Sequence, residues 1–268
     1  FSNKSFNYKM TNLTYSGETN YKSEENIKNN LLKIFIFYSI LSLIYFTLLN
    51  ITGVRLFNSL NLTMTLVSSG GFLPSDNLND IIVTNFQKFI LILSLIFSIL
   101  NLYFLFNIFN KRIMIKSHKE DFYLLAFATL FILLIYFNNV EGLDIIISVL
   151  SSLANSGITL LETDNNLSLY FLLLTIVGGS LISNTSGIKL TRFYILLKIT
   201  TAEIIKLISP NSVINKTIFN SDNKINEDNI KISFLIFISF FLSLFILSSF
   251  LILDNIGFEG SFKLSILT

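Results

Sequence analysis

The chain has 268 residues, of which 52% are hydrophobic and 13% charged, with a mean hydropathy of +0.66 and a formal net charge of +2. A soluble domain carries roughly 25% charged residues, so this composition, with 28 Phe, points to lipid as the solvent. No Cys and a single His, His118, exclude disulfides and argue against a zinc or haem centre.

Residues 1–30 are polar, mixed in charge and without the apolar core of a signal peptide. They read as a cytoplasmic segment. Four stretches reach the roughly 20 apolar residues that a spanning helix needs: 31–50, 89–110, 122–138 and 232–253. A fifth begins at Leu167 and runs through a break, LSLYFLLLTIVGGSLISNTSGIKLTRFYILLK. Three shorter apolar segments, 54–67, 143–153 and 261–268, are about half a span and suit re-entrant helices. If the half-spans dip in from outside, all of the 19 Lys and Arg except Arg55, Lys88 and Lys263 fall on the inner side.

The order span, dip, span recurs. The expected organisation is a cytoplasmic segment 1–30, a pore repeat 31–110, a cytoplasmic loop 111–121, a pore repeat 122–198, a cytoplasmic loop 199–230, and the start of another repeat at 231–268. The chain opens on Phe and closes on SILT, and is expected to be a piece of a longer protein. The fold class expected is all-α and polytopic, with re-entrant pore helices and filter loops.

Each complete dip ends in a small, polar, glycine-bearing turn, TLVSSGGF and SSLANSGI. Irregular backbone is tolerated at membrane depth only against protein or water. Carbonyls there can replace the water shell of a cation, Gly permits the dihedrals required, and the preceding helix aims its negative end at the same place. Ser68, Ser69, Gly70, Gly71, Asn155, Ser156 and Gly157 are the candidate ion-binding residues. Ser68, Ser69, Asn155 and Ser156 are expected to brace the loops by hydrogen bonds. Gly178, Gly179, Ser183, Asn184, Thr185, Ser186 and Gly187 interrupt the fifth span; a Gly-Gly helix-packing contact is the alternative.

Other candidates carry less. SNTSGIK is not a phosphate loop, because Ile188 separates Gly from Lys. Glu141, Asp144, Glu162 and Asp164 read as outer loop charges, His118 as a solvated loop residue, and Asn61-Leu62-Thr63 as a chance match in an Asn-rich chain. No nucleophile triad can be assembled. The lysines are spread among acids, which argues against nucleic acid.

Three stretches, LFNSLNLTMTLVSSGGFLPSD, SVLSSLANSGI and VGGSLISNTSGIKLTRFYILLK, resemble the Trk/Ktr/HKT superfamily of cation transporters, most closely the bacterial Trk-type membrane subunit. The resemblance covers the chain from about residue 30. It implies four span–dip–span units around a pseudo-fourfold pore, with the first unit missing here and the fourth ending before its filter. It implies potassium passing carbonyls near Gly71 and Gly157, a gate loop at 178–187, and basic positions at Lys189 and Arg192. Ile182, Thr185 and Ser186 stand where the family is richer in small residues and Gly, and Ile158 where Phe is common. The resemblance further implies a non-enzymatic multi-pass protein of the inner (plasma) membrane, contacting lipid, a homodimer on a cytoplasmic nucleotide-binding ring, with no cofactor in this chain. A sodium-selective or sodium-coupled member is the alternative within transport. A non-transporting scaffold subunit is the alternative outside it.

Overall fold

The computed structural model describes residues 24–75, 78–101, 104–105, 119–137, 142–158, 160, 165–209, 217–220, 225–254 and 256–267. The expectations for residues 1–23, for His118 and the basic cluster 111–118, and for Glu141, Glu162 and Asp164 lie outside them. The described elements are helical. They are α1 Glu24–Ile51, α2 Leu56–Ser68, α3 Asn85–Ile99, α4 Lys119–Tyr136, α5 Gly142–Ala154, α6 Asn165–Val177, α7 Leu190–Ile208, α8 Glu227–Leu253 and α9 Phe258–Leu267. Two 3-10 turns, Leu78–Asp80 and Ile218–Asn220, link them.

The surface is that of a membrane protein. Phe234, Leu235, Phe245, Phe250 and Leu253 of α8 are exposed, which water would penalise and lipid does not. Among the described residues α8 is the one helix that is by itself long and apolar enough to cross a bilayer. Within lipid, burial of apolar side chains supplies little drive, so packing and small residues hold helices together. Accordingly α5, the most buried helix, packs on α3, α4 and α6. Buried Ser94 and Ser98 on α3, with Ser148, Ser151 and Ser152 on α5, let the backbones approach. Ser94 and Ser98 donate to Leu91 and Leu95 carbonyls one turn back, so no hydroxyl hydrogen is left in the apolar interior there.

Local signals start and stop these helices. Thr84 and Gln87 form a reciprocal capping box at the start of α3, and Gln87 Nε2 also donates to the Thr52 carbonyl at 3.0 Å, fastening the α1–α2 turn. The structure corrects the expected continuous span 89–110. The helix ends at Ile99, and Leu100 is extended (φ −76°, ψ 158°). The cause is not Gly or Pro: the buried Asp121 carboxylate at the start of α4 accepts the Asn101 N–H at 2.8 Å. The first helix also begins earlier than 31, at Glu24.

Below α4 and α7 the turn Ile218–Asn220 is pinned by aromatic stacking. The Phe219 ring lies between Tyr123 and Tyr194, with centroids 5.0 and 4.4 Å away. Phe219 is buried with a left-handed backbone (φ 46°), and Lys198 Nζ donates to the Thr217 carbonyl at 2.6 Å.

Candidate functional site: two matched loops against a hairpin

The helices α2 and α5 are each 13 residues long, and the chain leaves both in the same way. Ser69 and Asn155 are both left-handed at φ 54°. Two residues on, Gly71 (φ 73°) and Gly157 (φ 62°) are left-handed again. The N–H of the residue between them folds back onto the helix: Gly70 onto the Thr65 carbonyl at 3.0 Å, Ser156 onto the Ser151 carbonyl at 3.1 Å. A left-handed residue after a helix is a common terminator, but usually a Gly. Here the first is a polar residue, and the Gly is reserved for the position that comes closest to a neighbour or to open space.

The two loops touch. A Cβ on Gly71 would stand 2.8 Å from the Ser156 carbonyl oxygen, whereas one on Gly157 would meet nothing within 4 Å. The C-terminal ends of α2 and α5, with their partial negative charge, therefore converge where the loops meet.

Of the side chains expected to brace the loops, Ser156 does so, with its hydroxyl 2.9 Å from that of Ser151. Ser68 does not: its hydroxyl donates to Met64 within α2. Ser69 Oγ has no hydrogen-bond partner among the described residues, and Asn155 reaches away from its own loop. The bracing falls instead to Thr65, whose hydroxyl donates to the Phe72 carbonyl, and Ser151, whose hydroxyl accepts the buried Ile158 N–H at 2.9 Å. Both stand four residues before the left-handed position. That matched hydroxyl is readable in TMTLVSSGGF and SSLANSGI and was the missed signal.

The break in the fifth span is a hairpin between α6 and α7. Its returning arm pairs with the end of α6, Ile188 N–H to Ile176 carbonyl at 3.0 Å and Lys189 N–H to Val177 carbonyl at 2.9 Å. Four consecutive N–H groups of the leading arm are also satisfied, each by a different element. Gly178 bonds to the Leu174 carbonyl, Gly179 to the Thr185 hydroxyl, Ser180 to the Ile99 carbonyl at the end of α3, and Leu181 to the Glu120 carboxylate. This accounting lets irregular backbone sit inside the protein. Close approach explains the glycines: a Cβ on Gly179 would lie 2.9 Å from the Ile99 carbonyl oxygen, and one on Gly178 would overlap the Ser186 carbonyl.

The hairpin reaches both short helices. Asn184 Nδ2 donates to the Val67 carbonyl in the last turn of α2 at 2.7 Å, and Asn155 Nδ2 donates to Ser186 Oγ at 2.5 Å. Lys189 is 8% exposed and turns inward. Its ammonium donates to the Ser183 carbonyl and hydroxyl (3.3 and 3.1 Å), to the Thr185 hydroxyl at 3.0 Å, and to the Thr185 carbonyl. A buried cation is expected to be paired or solvated by carbonyls in this way. Arg192 stands in the first turn of α7, where its charge and that of Lys189 act on Glu120.

The arrangement is thus an all-α membrane fold whose two re-entrant-length helices end over a partly buried hairpin. No family profile matches the chain. It is 28% identical over 221 residues to an uncharacterized cation transporter of Methanocaldococcus jannaschii, across 80% of this chain and 44% of that protein. Its fold superposes on the crystal structure of the potassium transporter TrkH from Vibrio parahaemolyticus with a TM-score of 0.78 at 15% identity, across 92% of this chain and 56% of that one. Both findings bear out the resemblance carried by the three motifs. Both relatives are transporters, not enzymes. The chain spans about half the length of either.

Proposed function

We propose that this chain forms part of the pore of a monovalent cation transporter, potassium first, in a multi-pass protein of the plasma membrane. The observation that carries the proposal is the matched pair of loops. Two helix C-termini and their loops meet at one place, with the Ser156 carbonyl against Gly71, and the space beside Gly157 is open. Fixed carbonyl dipoles of this kind stabilise a dehydrated cation and repel an anion. The order long helix, short helix, interrupted helix, seen in α1–α3 and α4–α7, supports the proposed pore repeats 31–110 and 122–198, with 231–268 opening a further one. Ser69 to Gly71 and Asn155 to Gly157 would line the filter. The hairpin 178–189 lies against both and would block or open the path beyond them. The complete pore requires further repeats, and the homodimer and the nucleotide-binding ring implied by the resemblance belong to that larger protein.

Tracer uptake in vesicles holding the full-length protein, with potassium and sodium in parallel, tests this. Saturable potassium uptake that Gly157→Ser abolishes or turns toward sodium is the expected result. Sodium uptake without potassium uptake would replace the ion and keep the pore. No cation flux from folded protein, or flux indifferent to Gly157, would favour a scaffold.

A further inference from the structure

Of the four leading-arm N–H groups, three are accepted by carbonyls or a hydroxyl of α3, α6 and the hairpin itself. The fourth, on Leu181, is accepted by an acidic side chain: Glu120 Oε1 at 2.7 Å, from the first turn of α4. The same side chain is within electrostatic reach of Lys189, which ends the returning arm, and of Arg192 in the first turn of α7. One acid therefore ties the leading arm to a helix outside the hairpin. Its neighbour Asp121 accepts the Asn101 N–H, just beyond the end of α3, and the Ile99 carbonyl in turn accepts Ser180 of the hairpin. The first turn of α4 ties down both helix breaks at once.

We infer that Glu120 is a positioning residue for the hairpin: a latch whose bond to Leu181 ties the leading arm to α4, holds the loop under the short helices, and must be released when the loop moves. This rests on the reading of the hairpin as a gate. The bonds that tie the leading arm to α6 and to the Thr185 hydroxyl can travel with the hairpin. The Glu120 bond cannot, because α4 is a separate element packed on α5.

The test uses the absence of cysteine from this chain. In the full-length protein, with any cysteine outside this chain replaced by serine, Ile182→Cys reports hairpin exposure to a membrane-impermeant thiol reagent. Leu174→Cys, in the buried end of α6, reports general loosening. Adding Glu120→Ala should raise labelling at 182 about tenfold and leave 174 unlabelled. Glu120→Gln, which keeps an acceptor oxygen but loses the charge, should fall between and decides the matter if the alanine variant does not fold. In flux measurements the open fraction should rise while the potassium-to-sodium ratio stays fixed. Unchanged labelling at 182 in both variants, or an equal rise at 174, overturns the latch. Raised labelling at 182 with flux unaltered keeps the latch and overturns the gate, so the two readings fail separately.

Discussion

Gly71 in one loop lies against the Ser156 carbonyl in the other, so closely that a single added methyl group would stand 2.8 Å from that oxygen. Gly157, at the matching position, faces open space. Both need a left-handed backbone, which costs a non-glycine residue roughly 1–2 kcal/mol. Gly157→Ala should cost about that much in thermal stability and still yield folded protein. Gly71→Ala carries the same strain plus a backbone collision, and should lower the melting temperature further and separate the two loops. Melting curves in detergent for the two variants check the order; equal effects would mean that the loops do not touch.

Thr65 and Ser151 hold equivalent places but should not be equivalent in cost. Ser151→Ala leaves the buried Ile158 N–H without its acceptor, at about 1–3 kcal/mol. Thr65→Val removes a donor from the Phe72 carbonyl, and Phe72 is exposed, so another partner can serve. A smaller loss, about 1 kcal/mol or less, is expected there. Chemical denaturation of both variants measures the difference.

Lys88 of α3 and Asp144 of α5 form an ion pair at 2.6 Å, with side chains 13% and 14% exposed. Asp144 is therefore a brace between α3 and α5 rather than the free loop charge that its sequence context suggests. Neither partner is as costly to strand as a fully buried ion nor as idle as a surface one, so Asp144→Asn should destabilise by about 1–3 kcal/mol. Exchanging the two residues, Lys88→Asp with Asp144→Lys, should restore part of the loss. A swap no better than the single change would show that geometry, not charge, sets the contribution.

Lys189→Met keeps the length of the side chain and removes all of its bonds to Ser183 and Thr185. Hydrogen exchange of amides 178–187 should quicken about tenfold, while α3 and α5 keep their protection. Exchange confined to its original rate would show that the backbone pairing at Ile188 and Lys189 alone holds the hairpin.

The short helices were legible because each is a half-span of apolar residues ending in SSGGF or ANSGI. The hairpin was legible because Gly178, Gly179 and Gly187 fall inside an otherwise spanning run. Its inner bonding was not. Glu120 lies in SHKED, which reads as a charged loop, and its partner Leu181 is 61 residues away. The break after Ile99 was hidden for a related reason. FSILNLYF holds no Gly or Pro, and the helix stops there because Asp121 captures the Asn101 amide, a tertiary cause that leaves no local mark. Ser68 misled in the opposite direction: next to the glycines in sequence, it faces back along its own helix.

The stack of Tyr123, Phe219 and Tyr194 has a mechanical meaning. Tyr123 follows Glu120 within one turn of α4, and Tyr194 follows Lys189 and Arg192 within about a turn and a half of α7. Phe219 fills the space between them and belongs to the segment that joins α7 to α8. The three rings act as a rivet between the N-terminal ends of α4 and α7. Phe219 cannot be displaced without moving Tyr123 and Tyr194 together or parting them, so the starts of α4 and α7 are mechanically joined through this one ring.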